Sequence, residues 1–192
     1  MPTTGLKRFG SCRQTHSTLD ALLELLDERP LAAADVEHVL VESIAGVHRN
    51  FGVYEPAHVV DTQFSIPPLV ALTIAGYPVT NGIAMGRLAD PVVQDLIRKV
   101  EVGHDPEADR IFAAERHIPS TVTVTLKDGT VLQRTRRSPS GDPEHPMKWD
   151  DVRAKYRDLS SRVASGTRVT GIERFVDDLE RVAHVGEAVA AC

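Results

Sequence analysis

The sequence predicts an α+β fold, with helices packed on one side of a small, mainly antiparallel sheet. Three observations predict it. Residues 121–132 form two alternating runs joined at Lys127-Asp128-Gly129, where Asp-Gly supplies the positive-φ turn of a hairpin. Residues 35–43 are a separate β-branched run that alternates in part. Around these lie stretches of helical periodicity instead of evenly repeated βαβ units, which points away from a parallel α/β sheet.

In chain order, Ser17-x-x-Asp20 resembles a capping box with Asp in place of Glu, and Leu19, Leu22, Leu23 and Leu26 follow at helical spacing. Pro30 ends this helix, because proline disfavours helical geometry in the residue before it. The strand at 35–43 sets Val39 and Val41 on one face and Leu40 on the other. Residues 44–61 are broken by Gly46, Gly52 and Pro56 and read as a long connection. Its His48, Arg49, Tyr54 and His58 show no fixed ligand spacing, which favours a solvated loop over a site.

Residues 61–76 read as a loop, then a buried helix opened by proline, where the missing N–H costs least, and closed by Gly76. Asp90 as N-cap, Pro91 at the first helical position and basic Arg98 and Lys99 in the last turn mark a helix over 90–100. Residues 101–106 begin a short acidic segment leading to the hairpin, whose Thr face is solvated and whose Val and Leu face is buried. A Gly/Pro-rich loop at 140–152 leads to a helix with Lys155, Tyr156 and Leu159. A last amphipathic helix carries Ile172, Phe175, Val176, Leu179 and Val182, and the tail 187–192 is expected to fray.

A chain of 192 residues buries one good-sized core, and residues 1–192 read as a single domain. With 42% hydrophobic and 26% charged residues the composition is that of an ordinary globular protein. A net charge of -5, with 22 basic residues spread among 27 acidic ones, supplies no basic face for nucleic acid. No apolar run approaches the roughly 20 residues that cross a bilayer, and the first residues lack an apolar signal core. The expectation is a cytoplasmic chain with no membrane partner. Cys12 and Cys192 read as free thiols, and the eight scattered histidines make a dedicated metal cage improbable, so neither metal nor cofactor is expected.

One stretch carries chemistry. Residues 6–16 set Lys7, Cys12, Arg13 and His16 in a loop just ahead of a helix N-terminus, whose unpaired N–H groups favour anions. A carboxylate suits such a reception.

Lys7-Arg8-Phe9, then Thr15-His16 before an amphipathic helix, resembles the opening of the second domain of the MmgE/PrpD family of carboxylate dehydratases and decarboxylases. Phe64-Ser65-Ile66-Pro67 resembles the family's Phe-Ser-Ile-Pro-Tyr helix, with Pro68 where members commonly carry an active-site tyrosine. Gly141-Asp142-Pro143 with Pro146, ahead of a helix bearing Lys155 and Tyr156, resembles a third family segment.

The resemblance implies a mixed α and β second domain, in a family whose long all-helical first domain adds Asp, His and Lys residues to a cleft between the two. These residues contain no counterpart of that helical domain, so a separate helical partner chain, or a homo-oligomer, is the expected complement. Lys7, Cys12 and His16 become the catalytic candidates, and Arg13 and Ser65 the candidates to bind a small carboxylic-acid substrate. For His16, fixing the loop by hydrogen bonds is the alternative role. The implied activity is that of a metal-independent lyase subunit, dehydratase or decarboxylase in type, acting on a small polycarboxylate. The alternatives are an isomerase or epimerase using the same proton abstraction, and a stand-alone binding or scaffold domain that lost its site.

Overall fold

Four strands, β1 (Val36–Ser43), β2 (Val100–His104), β3 (Ser120–Leu126) and β4 (Val131–Arg136), pair in the order β2-β1-β3-β4 in the computed structural model, which describes residues 4–80, 85–182 and 186. The β1–β3 and β3–β4 pairings are antiparallel, and β1–β2 is parallel, so the sheet is mixed. Strand β2 falls where the sequence suggested the end of a helix and a polar segment. The chain reaches it from β1 through a series of helices, and only such a crossover can bring two strands side by side in parallel.

The hairpin forms as expected. Leu126 donates to Thr130 O at 2.8 Å and Gly129 N–H to Leu126 O at 2.9 Å, while Val122, Val124 and Leu126 turn inward and the threonines between them outward. Strand β1 buries Val39 and Val41 on one face; a register shift between Val36 and His38 lets Val36 join them despite its odd spacing.

Helix α1 (His16–Glu28) packs against β3 and β4 and is buried on all sides through its first two turns. Its N-cap is Thr15, and Ser17 lies inside the helix, so the expected capping box does not form. Two short helices, α2 (Ala45–Asn50) and α3 (Val59–Gln63), occupy the segment expected to be a loop. Their ends are satisfied from afar or locally: Asp109 accepts the Ala45 N–H at 3.0 Å, and Asp61 accepts those of Ala57 and His58. Such partners leave no periodic apolar signature.

Helix α4 (Ile66–Ile74) is wholly buried, with Pro67 and Pro68 in its first turn. It ends where expected: Gly76 has φ 79°, its N–H bonds Thr73 O at 3.1 Å, and Tyr77 N–H reaches back to Leu72 O at 2.9 Å, a Schellman closure that needs the left-handed residue. After α5 (Met85–Leu88), α6 (Pro91–Lys99) starts on the Asp90 cap, whose carboxylate accepts Val92 N–H at 2.9 Å. A further helix, α7 (Pro106–Glu115), had no counterpart in the sequence reading.

By chain contacts the first compact unit is Met1–Pro146 and the second Met147–Cys192. The second pairs α8 (Trp149–Ser160) with α9 (Gly166–Asp177), linked by Arg157–Glu173 and Arg153–Asp177, both 2.6 Å. Helix α9 stops at Asp177; Leu179 lies in a following 3-10 turn and Val182 beyond it, which shortens the expected helix. Cys192 and the tail 187–192 lie outside the described residues. No helix among the described residues is long and apolar enough to cross a membrane.

Candidate functional site

The loop before α1 is built by its own polar residues first. Thr15 Oγ1 donates to Cys12 O at 2.9 Å, which leaves Ser11 Oγ to donate to Thr15 at 2.7 Å, and a 3-10 turn over Arg13–Thr15 follows. Phe9 is buried beneath it, and His16 meets that ring edge-on at 5.1 Å. The His16 ring is 0% exposed, with Nε2 facing Ser11 O at 3.3 Å.

The loop is then clamped from two sides. On one, Cys12 N–H donates to Gln63 O at 2.8 Å, Gln63 Nε2 returns a bond to Gly10 O at 2.9 Å, and Gly10 N–H reaches Val79 O at 3.0 Å. On the other, Leu6 N–H bonds Gly141 O at 2.8 Å and Arg13 pairs with Asp142. Between the two, Asp20 on α1, only 1% exposed, takes Arg8 Nη1 at 3.0 Å and Ser140 N–H at 2.6 Å. Two of the three segments singled out by resemblance therefore meet here, 6–16 and 141–146, through Gly141 and Asp142; the third, 64–67, adjoins the loop only through Gln63, the residue before it.

The five candidates sort by depth. Lys7 stands exposed on the clamped loop, and Cys12 and Arg13 are partly buried. Burial holds the Arg13 guanidinium below its ordinary pKa, opposed by the charge of Asp20, and it stays a cation at any physiological pH. His16 is placed to fix the loop. Ser65 is 0% exposed, and its hydroxyl accepts Val53 N–H at 3.0 Å and donates to Val53 O at 2.6 Å. That engagement ties residues 51–53 to the start of α4; the hydroxyl faces backbone.

Asp20 and Asp142 were not singled out by sequence reasoning. Asp142 stood in the quoted Gly-Asp-Pro segment, which was a usable signal. Asp20 was absorbed into a capping motif, although a carboxylate flanked by Leu19, Ala21 and Leu22 hints at a buried acceptor. Among the described residues, His117, Asp142 and Glu144 each bring one potential metal-ligand atom within 4.8 Å of the others. Asp142 is at the same time the partner of Arg13.

A second His/carboxylate group lies at the carboxyl end of β2. His104 Nε2 is 2.7 Å from Asp109 Oδ2, and His48 Nδ1 is 2.8 Å from Val102 O. The Ala45 N–H, then His104, hold the Asp109 carboxyl below its ordinary pKa. The fold accounts for both groups: Asp109 also caps α2 through the Ala45 N–H, and His48 covers a carbonyl on the outer edge of β2.

Comparison with known proteins matches this sequence to a family. The MmgE/PrpD C-terminal domain matches residues 9–181. A cis-aconitate decarboxylase of Aspergillus terreus is 24% identical over 201 residues, covering 95% of this chain and 39% of that protein. The human cis-aconitate decarboxylase is 26% identical over 181 residues, covering 91% of this chain and 36% of that protein. The chain thus spans little more than a third of the length of these curated relatives. With the domain match running from Phe9 to Arg181, the chain belongs to the MmgE/PrpD family, in the region of its C-terminal domain.

Proposed function

We propose that this chain is the carboxylate-binding part of a lyase that acts on a small polycarboxylate of the cis-aconitate or citrate kind. One observation carries the reading: a loop bearing Lys7 and Arg13 is clamped between Gln63 and Gly141, so two cations are held on a rigid support instead of a loose terminus. A rigid support is what positioning a charge for catalysis requires.

In this reading Lys7 binds a substrate carboxylate and stabilises negative charge developing on the adjacent carbon. Arg13 binds a second carboxylate, Cys12 is the candidate for proton transfer at the loop's inner side, and His16 and Ser65 hold the support. In decarboxylation the electrons of the broken C–C bond stay on carbon, carbon dioxide leaves and the carbon takes a proton. In dehydration a proton leaves one carbon and hydroxide the next. Either way a second acid–base group must lie within hydrogen-bond reach of the substrate. A helical partner chain, matching the part of the relatives that this sequence does not cover, supplies it.

The test is to co-express the chain with an all-helical family chain from the same genome and assay carbon dioxide release and water loss from cis-aconitate and citrate. Activity that survives a chelator and falls at least about a hundredfold in Lys7→Ala supports the reading, a loss on the scale of one transition-state charge contact. An inactive complex, or one indifferent to Lys7→Ala, overturns it. Pro68 at the expected tyrosine position favours a second reading, a binding or scaffold domain; a complex that binds citrate without turning it over would support that instead.

A further inference from the structure

A guanidinium fork matches a carboxylate's two oxygens better than any other side chain does. Arg13 already holds one. Its Nη2 pairs with Asp142 Oδ1, while Nη1 rests on Leu6 O at 3.4 Å. The pair is reachable, with 30% of the Arg13 and 20% of the Asp142 side chain exposed.

The pairing is built in. A Cβ at Gly5 would lie 3.1 Å from both Arg13 Nη2 and Asp142 Oδ1 and 2.8 Å from Gly141 O, so the bare backbone of Gly5 closes one side of it. Asp142 arrives on a tight turn, with Gly141 N–H bonded to His145 O at 2.7 Å and His145 N–H to Asp142 O at 2.9 Å. Glu144 brings a second carboxylate oxygen within 4.8 Å of Asp142. Partly exposed pairs of this kind are weak enough for another anion to exchange into them.

We propose that Asp142 is an internal stand-in for a substrate carboxylate on Arg13, and that it acts as a specificity filter. A substrate must displace Asp142 to engage Arg13. A monocarboxylate offers one group in exchange for one and gains little. A di- or tricarboxylate keeps a second carboxylate for the neighbouring loop, so it wins the exchange. The inference rests on the reading that this loop receives carboxylates.

Isothermal titration of the purified chain with tricarballylate, a tricarboxylate, and with acetate tests it. Asp142→Asn empties the seat and is expected to tighten tricarballylate binding about fivefold and to make acetate binding measurable, the scale of one partly exposed ion pair. Gly5→Ala opens the same pair by contact instead of by charge and should move both affinities in the same direction. Glu144→Gln removes a nearby charge that does not touch Arg13 and should change affinity less than about twofold, within surface screening. Unchanged or lost binding in Asp142→Asn overturns the filter, as does an equal gain in Glu144→Gln, which would mark a diffuse field. If Lys7→Ala weakens tricarballylate binding while Asp142→Asn leaves it unchanged, the filter fails and the carboxylate-binding loop stands. If neither wild type nor any variant binds tricarballylate, both fail.

Discussion

Asp20 and Ser140 stand 120 residues apart in the chain, yet the Asp20 carboxylate accepts the Ser140 N–H at 2.6 Å. Its other oxygen takes Arg8 at 3.0 Å, so one buried side chain on α1 holds the opening loop and the 140s loop in one arrangement.

Asp20→Asn removes that charge and turns an amide donor toward at least one existing donor. A buried donor left unsatisfied costs about 1–3 kcal/mol. Urea denaturation should show a loss in this range, and amide exchange should quicken at Ser140 and across residues 6–16 before it changes in the sheet.

Ser65→Ala leaves the Val53 N–H and C=O without their shared hydroxyl partner. Val53 is exposed, so water can replace the lost partner and the cost is that of an ordinary hydrogen bond, about 0.5–1.5 kcal/mol, read as a lower denaturation midpoint with an unchanged slope. Ser65→Thr keeps the hydroxyl but adds a methyl to a fully buried position, so it should recover only part of the loss.

Lys7→Ala separates function from stability. Lys7 is exposed on the loop surface, so the variant should unfold within about 0.5 kcal/mol of wild type while losing lyase turnover in the partnered complex. A large drop in stability would assign Lys7 to the scaffold.

The pH dependence of stability has a defined sign at Asp90. The Tyr77 hydroxyl, donating at 2.6 Å, and then the Val92 N–H hold the Asp90 carboxyl below its ordinary pKa. A depressed carboxyl contributes stability that is fully present above its unfolded pKa and is lost as pH falls through the folded one. Tyr77→Phe removes the largest cause of the depression. The stability gap between wild type and Tyr77→Phe should therefore be widest above about pH 4–5 and narrow on acidification, measured by denaturant titration at a series of pH values.

Local chemistry made much of this chain readable from its sequence. The hairpin at Asp128-Gly129, the Asp90-Pro91 helix start and the Gly76 stop rest on turn and cap preferences that act within a few residues, and each is found where those preferences place it. The loop 6–16, 64–67 and 141–146 stood out for the same reason, as short runs with unusual chemistry. Strand β2 and helices α2 and α3 did not, because their stability comes from partners distant in sequence: the β1 edge for β2, and the Asp109 carboxylate for the start of α2.

Residue patterns were enough to place a sheet hairpin, a buried proline-started helix and a cation-bearing loop. How those parts come to share one place follows from the packing. Asp20 looked like a helix cap and is a buried clamp; Ser65 looked like a substrate contact and holds Val53; Arg13 looked available and is paired with Asp142. The physical reason is common to all three: a buried or half-buried polar group must find a partner, and which partner it finds depends on what folding brings beside it.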